Sequence, residues 1–265
     1  MFPIVKLYDT IAGEEEELMN AILTGSDLAN GLHQLGVHAG MALEVHCSLS
    51  SFGYLEGGSD TVINVLMQQV GVDGAIVMPS FRLSPNLPLT DEDQRLGLTM
   101  KIHILSEDEE HSAMGIVSDT FRQRPDVMTG DGVFRVSAWG KDAITHSASF
   151  QHLIDNDGYA LLLGVDIYRL STMHYVEDAL PDEIRSKFKP SPEARAKYPE
   201  DQWFIESWVP DTKPWYAIQN EAYAKGFITD THIGNAKCMF FKVRPVIELY
   251  RQALLECPFE LYGLY

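Results

Sequence analysis

The stretch that most restricts the fold lies between residues 41 and 78, where two short apolar runs flank a glycine-bearing loop and one amphipathic segment. In Met41–Cys47, Met41, Leu43, Val45 and Cys47 alternate with Ala42, Glu44 and His46, the period of a strand. This puts His46 on the more polar face near the strand's carboxyl end. Gly53, Gly57 and Gly58 follow, and Ser59–Val70 then repeats Val62, Ile63, Leu66, Met67 and Val70 at helical spacing. Gly71–Gly74 closes that helix, and Ala75–Met78 reads as a second buried strand. Strand, loop, helix and strand in this order make a βαβ unit, whose sheet needs helices to cover it. The expected class is therefore α/β, a single globular unit over residues 1–265 with a central β-sheet flanked by helices.

The remaining segments extend the same pattern. Ala12–Gly25 and Ser26–Leu35 read as helices, the second with Ser26 as N-cap and Gly36 as its stop. Ser84–Gln94, with Pro85, Pro88 and several acids, has no clear period and reads as an exposed connection. His111–Arg124 is helical up to Pro125, and the apolar run Ala160–Val165 leads into a helix from Thr172 to about Leu180. Prolines at 181, 190, 192, 199, 210 and 214 make 181–214 an irregular excursion or lid within the unit. Trp215–Lys225, Ala236–Val243 and Pro245–Glu256 read as helix, strand and closing helix.

Charge and composition bound the function. Against 20 Lys+Arg stand 38 Asp+Glu, a net charge of −18 that repels phosphate backbones and draws in cations. Nucleic acid is not an expected partner; a cationic amine is, although the same charge also serves solubility alone. No apolar run reaches the ~18–20 residues of a membrane span and residues 1–9 lack a signal-peptide pattern, so a cytoplasmic location and no membrane partner are expected. Cys47, Cys238 and Cys257 lack the spacing of a zinc site or disulfide framework and read as incidental thiols. A homodimer is left open.

Ligands of open α/β sheets collect beyond the carboxyl ends of the strands. Three such ends carry chemistry here: His46, Ser48, Ser50 and Ser51; Pro79 and Ser80; and Asp166, Ser171 and His174. Gly57-Gly58 ahead of a helix lets an anion approach free backbone N–H groups, and the alternative is a plain loop and cap. His174 and Glu177 are three apart and share a helix face, the spacing of a general base oriented by a carboxylate or of an ordinary surface pair.

Several blocks carry a resemblance in chain order. Val45-His46-Cys47-Ser48-Leu49-Ser50-Ser51-Phe52-Gly53, then Gly57-Gly58 and Val77-Met78-Pro79-Ser80, resembles the "VHSSL-x-S-x-G…GG…VMP[ST]" opening of the aminoglycoside 3-N-acetyltransferase family. Met114-Gly115-Ile116, Ala138-Trp139-Gly140-Lys141-Asp142-Ala143, Leu161–Val165, His174-Tyr175-Val176-Glu177 and Ile233-Gly234-Asn235-Ala236 are similar to its later blocks. The resemblance implies a mixed central sheet and an acetyl-CoA-dependent N-acetyltransferase acting on an aminoglycoside or related cationic aminosugar, a role in antibiotic resistance. It further implies direct acyl transfer by His174 with Glu177 in support, His46 lining the cleft, and the Ser171 hydroxyl at the thioester carbonyl. Acetyl-CoA, as co-substrate, would lie along Ser48, Leu49, Ser50 and Ser51, the Gly57-Gly58 helix entry, Pro79 and Ser80; no metal is expected.

Two departures bear on the acceptor. Met128-Thr129-Gly130-Asp131-Gly132 stands where the family has "RS-x-HP", and the "HPL…G-x-x-SPL" segment after Trp139 is largely absent. A CoA-binding member with a non-antibiotic acceptor or a decayed acceptor site is therefore the alternative, and a metal-dependent hydrolase using His46, Asp166 and His174 a third class.

Overall fold

Leu43, Val45, Ile76, Leu161 and Leu163 have no accessible surface, nor do Ala160 and Leu162 between them, so the strands that carry these residues are covered on both faces. In the computed structural model, which describes residues 22–210 and 214–264, they form the centre of a seven-stranded sheet. Ala42–Cys47 pairs parallel with Ala75–Pro79 on one side and with Tyr159–Leu163 on the other. Val136–Gly140 and Met128–Thr129 continue the sheet antiparallel beyond Ala75–Pro79, and Ala236–Lys242 and Thr229–Ile233 continue it beyond Tyr159–Leu163. The sheet is mixed, as expected.

Helices Gly25–Leu35, Gly58–Val70 and Ile116–Arg122 pack on one face through Leu28, Leu32, Val62, Leu66 and Phe121. The other face is covered by Gln151–Asp155, a 3₁₀ helix Ser171–Ala179, Pro214–Ala224 and Val243–Glu256, through Leu153, Met173, Ile218 and Tyr250. Each fully buried Leu or Ile contributes about 1.5–3 kcal/mol, so these two layers carry the fold.

Several boundaries differ from the sequence reading. Thr24, not Ser26, caps the first described helix: its hydroxyl accepts the Asp27 N–H while the Asp27 carboxylate accepts the Thr24 N–H, a reciprocal box that Ser26 is too far along to make. Most of the helix read over Ala12–Gly25 lies outside the described residues, and Ile22–Leu23 is a short strand parallel to Tyr54–Leu55. The helix read from His111 starts at Ile116, because Gly115 takes a left-handed φ of 89° ahead of it. Ser84–Gln94 is not simply exposed, since Asp91–Arg95 is helical and Asp93 is buried.

The stretch 181–214 also holds more order than its prolines suggested. Asp182–Phe188 and Pro192–Lys197 are helices, and Trp203–Glu206 pairs antiparallel with Met100–His103. A small core of Leu98, Ala194, Tyr198 and Ile205 ties these pieces together. Beside it Asp93 accepts hydrogen bonds from the Lys101 ammonium and the Tyr198 hydroxyl, a buried carboxylate satisfied from two sides.

Candidate active site

The carboxyl ends of the parallel strands open into a cavity of about 330 Å³, walled in part by His46, Ser48, Pro79, Ser171 and His174. Segments far apart in sequence therefore converge where the sheet topology predicts a ligand. His174 stands on the 3₁₀ helix Ser171–Ala179, not on the α-helix expected from Thr172. At three residues per turn, positions i and i+3 eclipse, so Glu177 lies directly over His174. Its Oε2 is 2.8 Å from His174 Nδ1. Glu177 Oε1 in turn accepts the Tyr250 hydroxyl at 3.2 Å, and the Tyr250 and Tyr262 hydroxyls are 2.7 Å apart. Trp215 meets the His174 ring edge-on with centroids 4.8 Å apart.

The imidazole is enclosed by protein walls yet open to solvent through the cleft, with 59% of its side chain exposed. Desolvation by those walls pulls its pKa down, but the Glu177 hydrogen bond and charge, with the Glu206 and Glu44 charges behind, outweigh this and raise it. Burial, together with repulsion from Glu177, pushes the Glu206 carboxyl up to about 7, His174 acting in the opposite sense. A histidine held by one carboxylate through Nδ1 and lining an open cavity is arranged to take a proton.

Sequence reasoning missed Glu44. It shares the face of Ala42–Cys47 with His46, and that face is buried beneath the 3₁₀ helix instead of open to solvent. Glu44 has no accessible surface, and its Oε1 accepts the Ser171 and Thr172 N–H groups at 2.8 and 3.3 Å while lying 2.8 Å from His46 Nε2. The carboxylate thus caps the start of the helix that carries His174 and orients His46 at the cavity wall. A glutamate at an inward strand position was the available signal. Glu206 was missed as well, inside the stretch read as irregular.

On the other side of Ser48 lies a second cavity, of about 550 Å³, lined by Ser48, Leu49, Ser50 and Gly58 together with Gly115 and Ile116. The Gly58–Val70 helix opens into it with no side-chain cap on its first N–H groups. The Ser51 hydroxyl lies 3.0 Å from the Gly164 carbonyl and 2.8 Å from Ser48 Oγ, bracing the loop. Gly164 permits this approach, since at its φ of 68° a Cβ would come within 2.4 Å of Ser51 Cβ. At Gly58 the constraint is the φ of 56° and not space, for a Cβ there would meet Leu49 at an ordinary 3.8 Å.

Ser80, expected beside the donor, lies under the cavity floor. It is buried, its hydroxyl 2.7 Å from that of Ser137, and it is absent from the walls of both cavities, whereas its neighbour Pro79 lines the first. Gly57 stands behind the second cavity, as the N-cap of the helix whose Gly58 lines it. The Ser171 hydroxyl faces the first cavity and has no hydrogen-bond partner among the described residues. Cys47 borders both cavities, and burial pushes its thiol pKa up, which disfavours the thiolate. Asp166 is engaged by Gln219, and among the described residues no three His, Cys, Asp or Glu side chains are arranged to hold a metal ion.

The first cavity, with the carboxylate-oriented His174 in its wall, and the second, which shares Cys47, Ser48 and Gly115 with it, make one candidate site on an α/β protein with a mixed sheet. The sequence of residues 45–255 matches the family model described as aminoglycoside 3-N-acetyltransferase, and the chain belongs to that family. Among relatives, it is 28% identical over 179 residues to the SPbeta prophage-derived aminoglycoside N(3')-acetyltransferase-like protein YokD of Bacillus subtilis (strain 168), covering 60% of this chain and 66% of that protein. It is 27% identical over 188 residues to aminoglycoside N(3)-acetyltransferase VIII of Streptomyces fradiae, covering 62% and 65%. The matched region thus spans just under two thirds of the length of these relatives.

The fold agrees with solved structures at low identity. Aminoglycoside acetyltransferase AAC(3)-Xa superposes with a TM-score of 0.66 at 19% identity, over 92% of this chain and 98% of that one. AAC-IIIb, solved as a binary complex with CoASH, superposes with a TM-score of 0.61 at 18% identity, over 88% and 96%.

Proposed function

We propose that this chain transfers an acetyl group from acetyl-CoA, a substrate rather than a resident cofactor, to the amine of a cationic small molecule. The observation that carries this reading is that His174, held 2.8 Å from Glu177, borders both the cavity beside the Ser48 loop and a second cleft that contains Glu177 and Glu206. The CoASH complex of AAC-IIIb supports a CoA thioester as donor, and the gentamicin and apramycin complexes of AAC(3)-IVa support an amine as acceptor.

The donor's anionic end is assigned to the Ser48–Ser51 loop and the uncapped N–H groups at Gly57-Gly58. The amine nitrogen attacks the thioester carbon from the Glu177 side, forming the C–N bond. His174 Nε2 takes the amine proton, the C–S bond breaks, and the same proton leaves with the CoA thiol. The Ser171 hydroxyl, free toward the cavity, donates to the developing oxyanion, and His46, oriented by Glu44, lines the donor side. The transfer is direct, from thioester to amine, without an acyl-enzyme.

The test is acetyl-CoA-dependent thiol release over a panel of amines. His174→Ala should lower kcat by roughly 10²–10⁴-fold with acetyl-CoA affinity nearly intact. Full activity in that variant would remove His174 from the mechanism, and thiol release that needs no amine would point to hydrolysis.

A further inference from the structure

The cleft on the Glu177 side of His174 has a volume of about 650 Å³, in the range of small-molecule sites, and its wall is chemically lopsided. Leu180, Phe188, Val209, Trp215 and Tyr262 present apolar surface to it. Phe188 is braced edge-on against Trp208 at 4.9 Å and against Tyr262 at 6.4 Å, so the aromatic side of the wall is built on interlocking rings.

Charge is sparse by comparison. The described residues bring two carboxylates to this cleft, Glu177 and Glu206, and one guanidinium, Arg185. Arg185 is spent on the chain itself, donating to the Asp178 and Leu180 carbonyls at 3.1 and 2.8 Å with Asp182 at 3.7 Å. Glu177 is shared between His174 and Tyr250. The Glu206 carboxylate has no hydrogen-bond partner among the described residues. Among the described residues the acidic excess is not concentrated here; runs such as Glu107–Glu110 lie exposed elsewhere.

Resting on the acetyl-transfer reading above, we infer that the acceptor is a compact monoamine, a single primary ammonium received by Glu206 beside Glu177 and joined to an apolar, ring-sized body against Phe188, Trp215 and Tyr262. A polycation would carry further ammonium groups into contact with Leu180, Phe188, Val209 and Trp215, where no carboxylate among the described residues lines the cleft apart from Glu177 and Glu206. An unpaired ammonium against apolar walls loses hydration with nothing in return. An aromatic or aliphatic ring gains from the same walls, and Trp215 and Phe188 also attract a cation through their ring faces.

Glu206 is suited to receive one charge and no more. It faces Glu177, His174, Arg185, Tyr168 and Tyr262 across the cleft, and burial with the Glu177 charge has brought its carboxyl up to about 7. An ammonium beside it restores the ionised form, so binding near pH 6.5 should expel a proton.

The experiment uses the full chain with 2-phenylethylamine, spermidine and kanamycin as probes, in calorimetry without donor and in thiol release with acetyl-CoA. 2-Phenylethylamine should bind at least tenfold more tightly than either polycation, with proton release at pH 6.5 seen by comparing buffers of different ionisation enthalpy. Glu206→Gln, isosteric and so tolerated by the fold, should weaken that binding about tenfold, abolish the proton release and leave acetyl-CoA affinity unchanged. Phe188→Ala should weaken 2-phenylethylamine and spare spermidine. Tighter binding of kanamycin or spermidine, or unchanged amine affinity in Glu206→Gln, would overturn the inference. Absence of thiol release with all three amines would count against the transfer reading, while the donor-free affinities still decide the acceptor class.

Discussion

Three carboxylates act on His174 at different reach: Glu177 by direct hydrogen bond, Glu206 across the cleft, and Glu44 from within the sheet. Because all three raise the imidazole pKa, removing any of them should let the ring lose its proton at lower pH and weaken it as a base. For Glu177→Gln the acid limb of the kcat–pH profile should move to lower pH, and kcat at its plateau should fall by about 10–100-fold. Glu44→Gln keeps an oxygen for the Ser171 and Thr172 N–H groups, so it should shift the limb in the same direction by less. A Glu44→Gln profile that moves upward, or a Glu177→Gln enzyme with an unshifted limb, would break the assignment. The sequence showed His174 and Glu177 because their relation is local, three positions on one helix. It could not show Glu44, whose partners Ser171 and Thr172 lie 127 and 128 residues away and meet it through strand pairing. Nor could the sequence show that Pro79 lines the cavity while the hydroxyl of its neighbour Ser80 is turned to Ser137 across the sheet.

At the scale of elements, the parallel strands and their flanking helices were legible because each buries a continuous or periodic apolar set. The helix Gly58–Val70 and strands Ala42–Cys47 and Ala75–Pro79 begin and end within a residue or so of where their patterns place them. The stretch 181–214 was opaque because its helices, of seven and six residues, are too short to display a period, and one starts with proline at its first position. Its strand Trp203–Glu206 finds its partner a hundred residues earlier, at Met100–His103. The donor shelf offers the clearest element-level test. Ser50 is exposed on its rim beside the uncapped helix start, so Ser50→Glu should add repulsion toward an anionic donor without cost to the fold. Acetyl-CoA should bind about tenfold more weakly to this variant at low salt, Ser50→Gln should bind as before, and the gap should narrow as salt screens the added charge. Equal affinities for the two variants at low salt would move the anionic part of the donor away from this helix.

For the molecule as a whole, an excess of carboxylates invites the expectation that acid destabilises it, yet one buried and one half-buried group make opposite contributions over nearly one pH window. His146, 3% exposed and with Nδ1 lacking a partner, is held near 4 by burial and by repulsion from His152. Between about 4 and its ordinary 6.5 the unfolded chain binds a proton there that the folded chain refuses, so stability rises with pH. Glu206, raised from 4.5 to about 7, does the reverse: the folded chain keeps a proton that the unfolded chain has lost, so stability falls as pH rises through that range. Between about 4.5 and 6.5 the two slopes oppose each other, and the melting temperature should change little on their account. Separating them is the test. Glu206→Gln removes the falling term, so its melting temperature should climb from pH 4.5 to 6.5 more steeply than that of the unaltered chain. His146→Leu removes the rising term and should tilt the curve downward over the same interval, whatever the substitution does to the absolute level. Parallel curves for the three proteins would show that neither group changes its proton affinity on folding, and would withdraw the protonated Glu206 on which proton release by a bound ammonium depends.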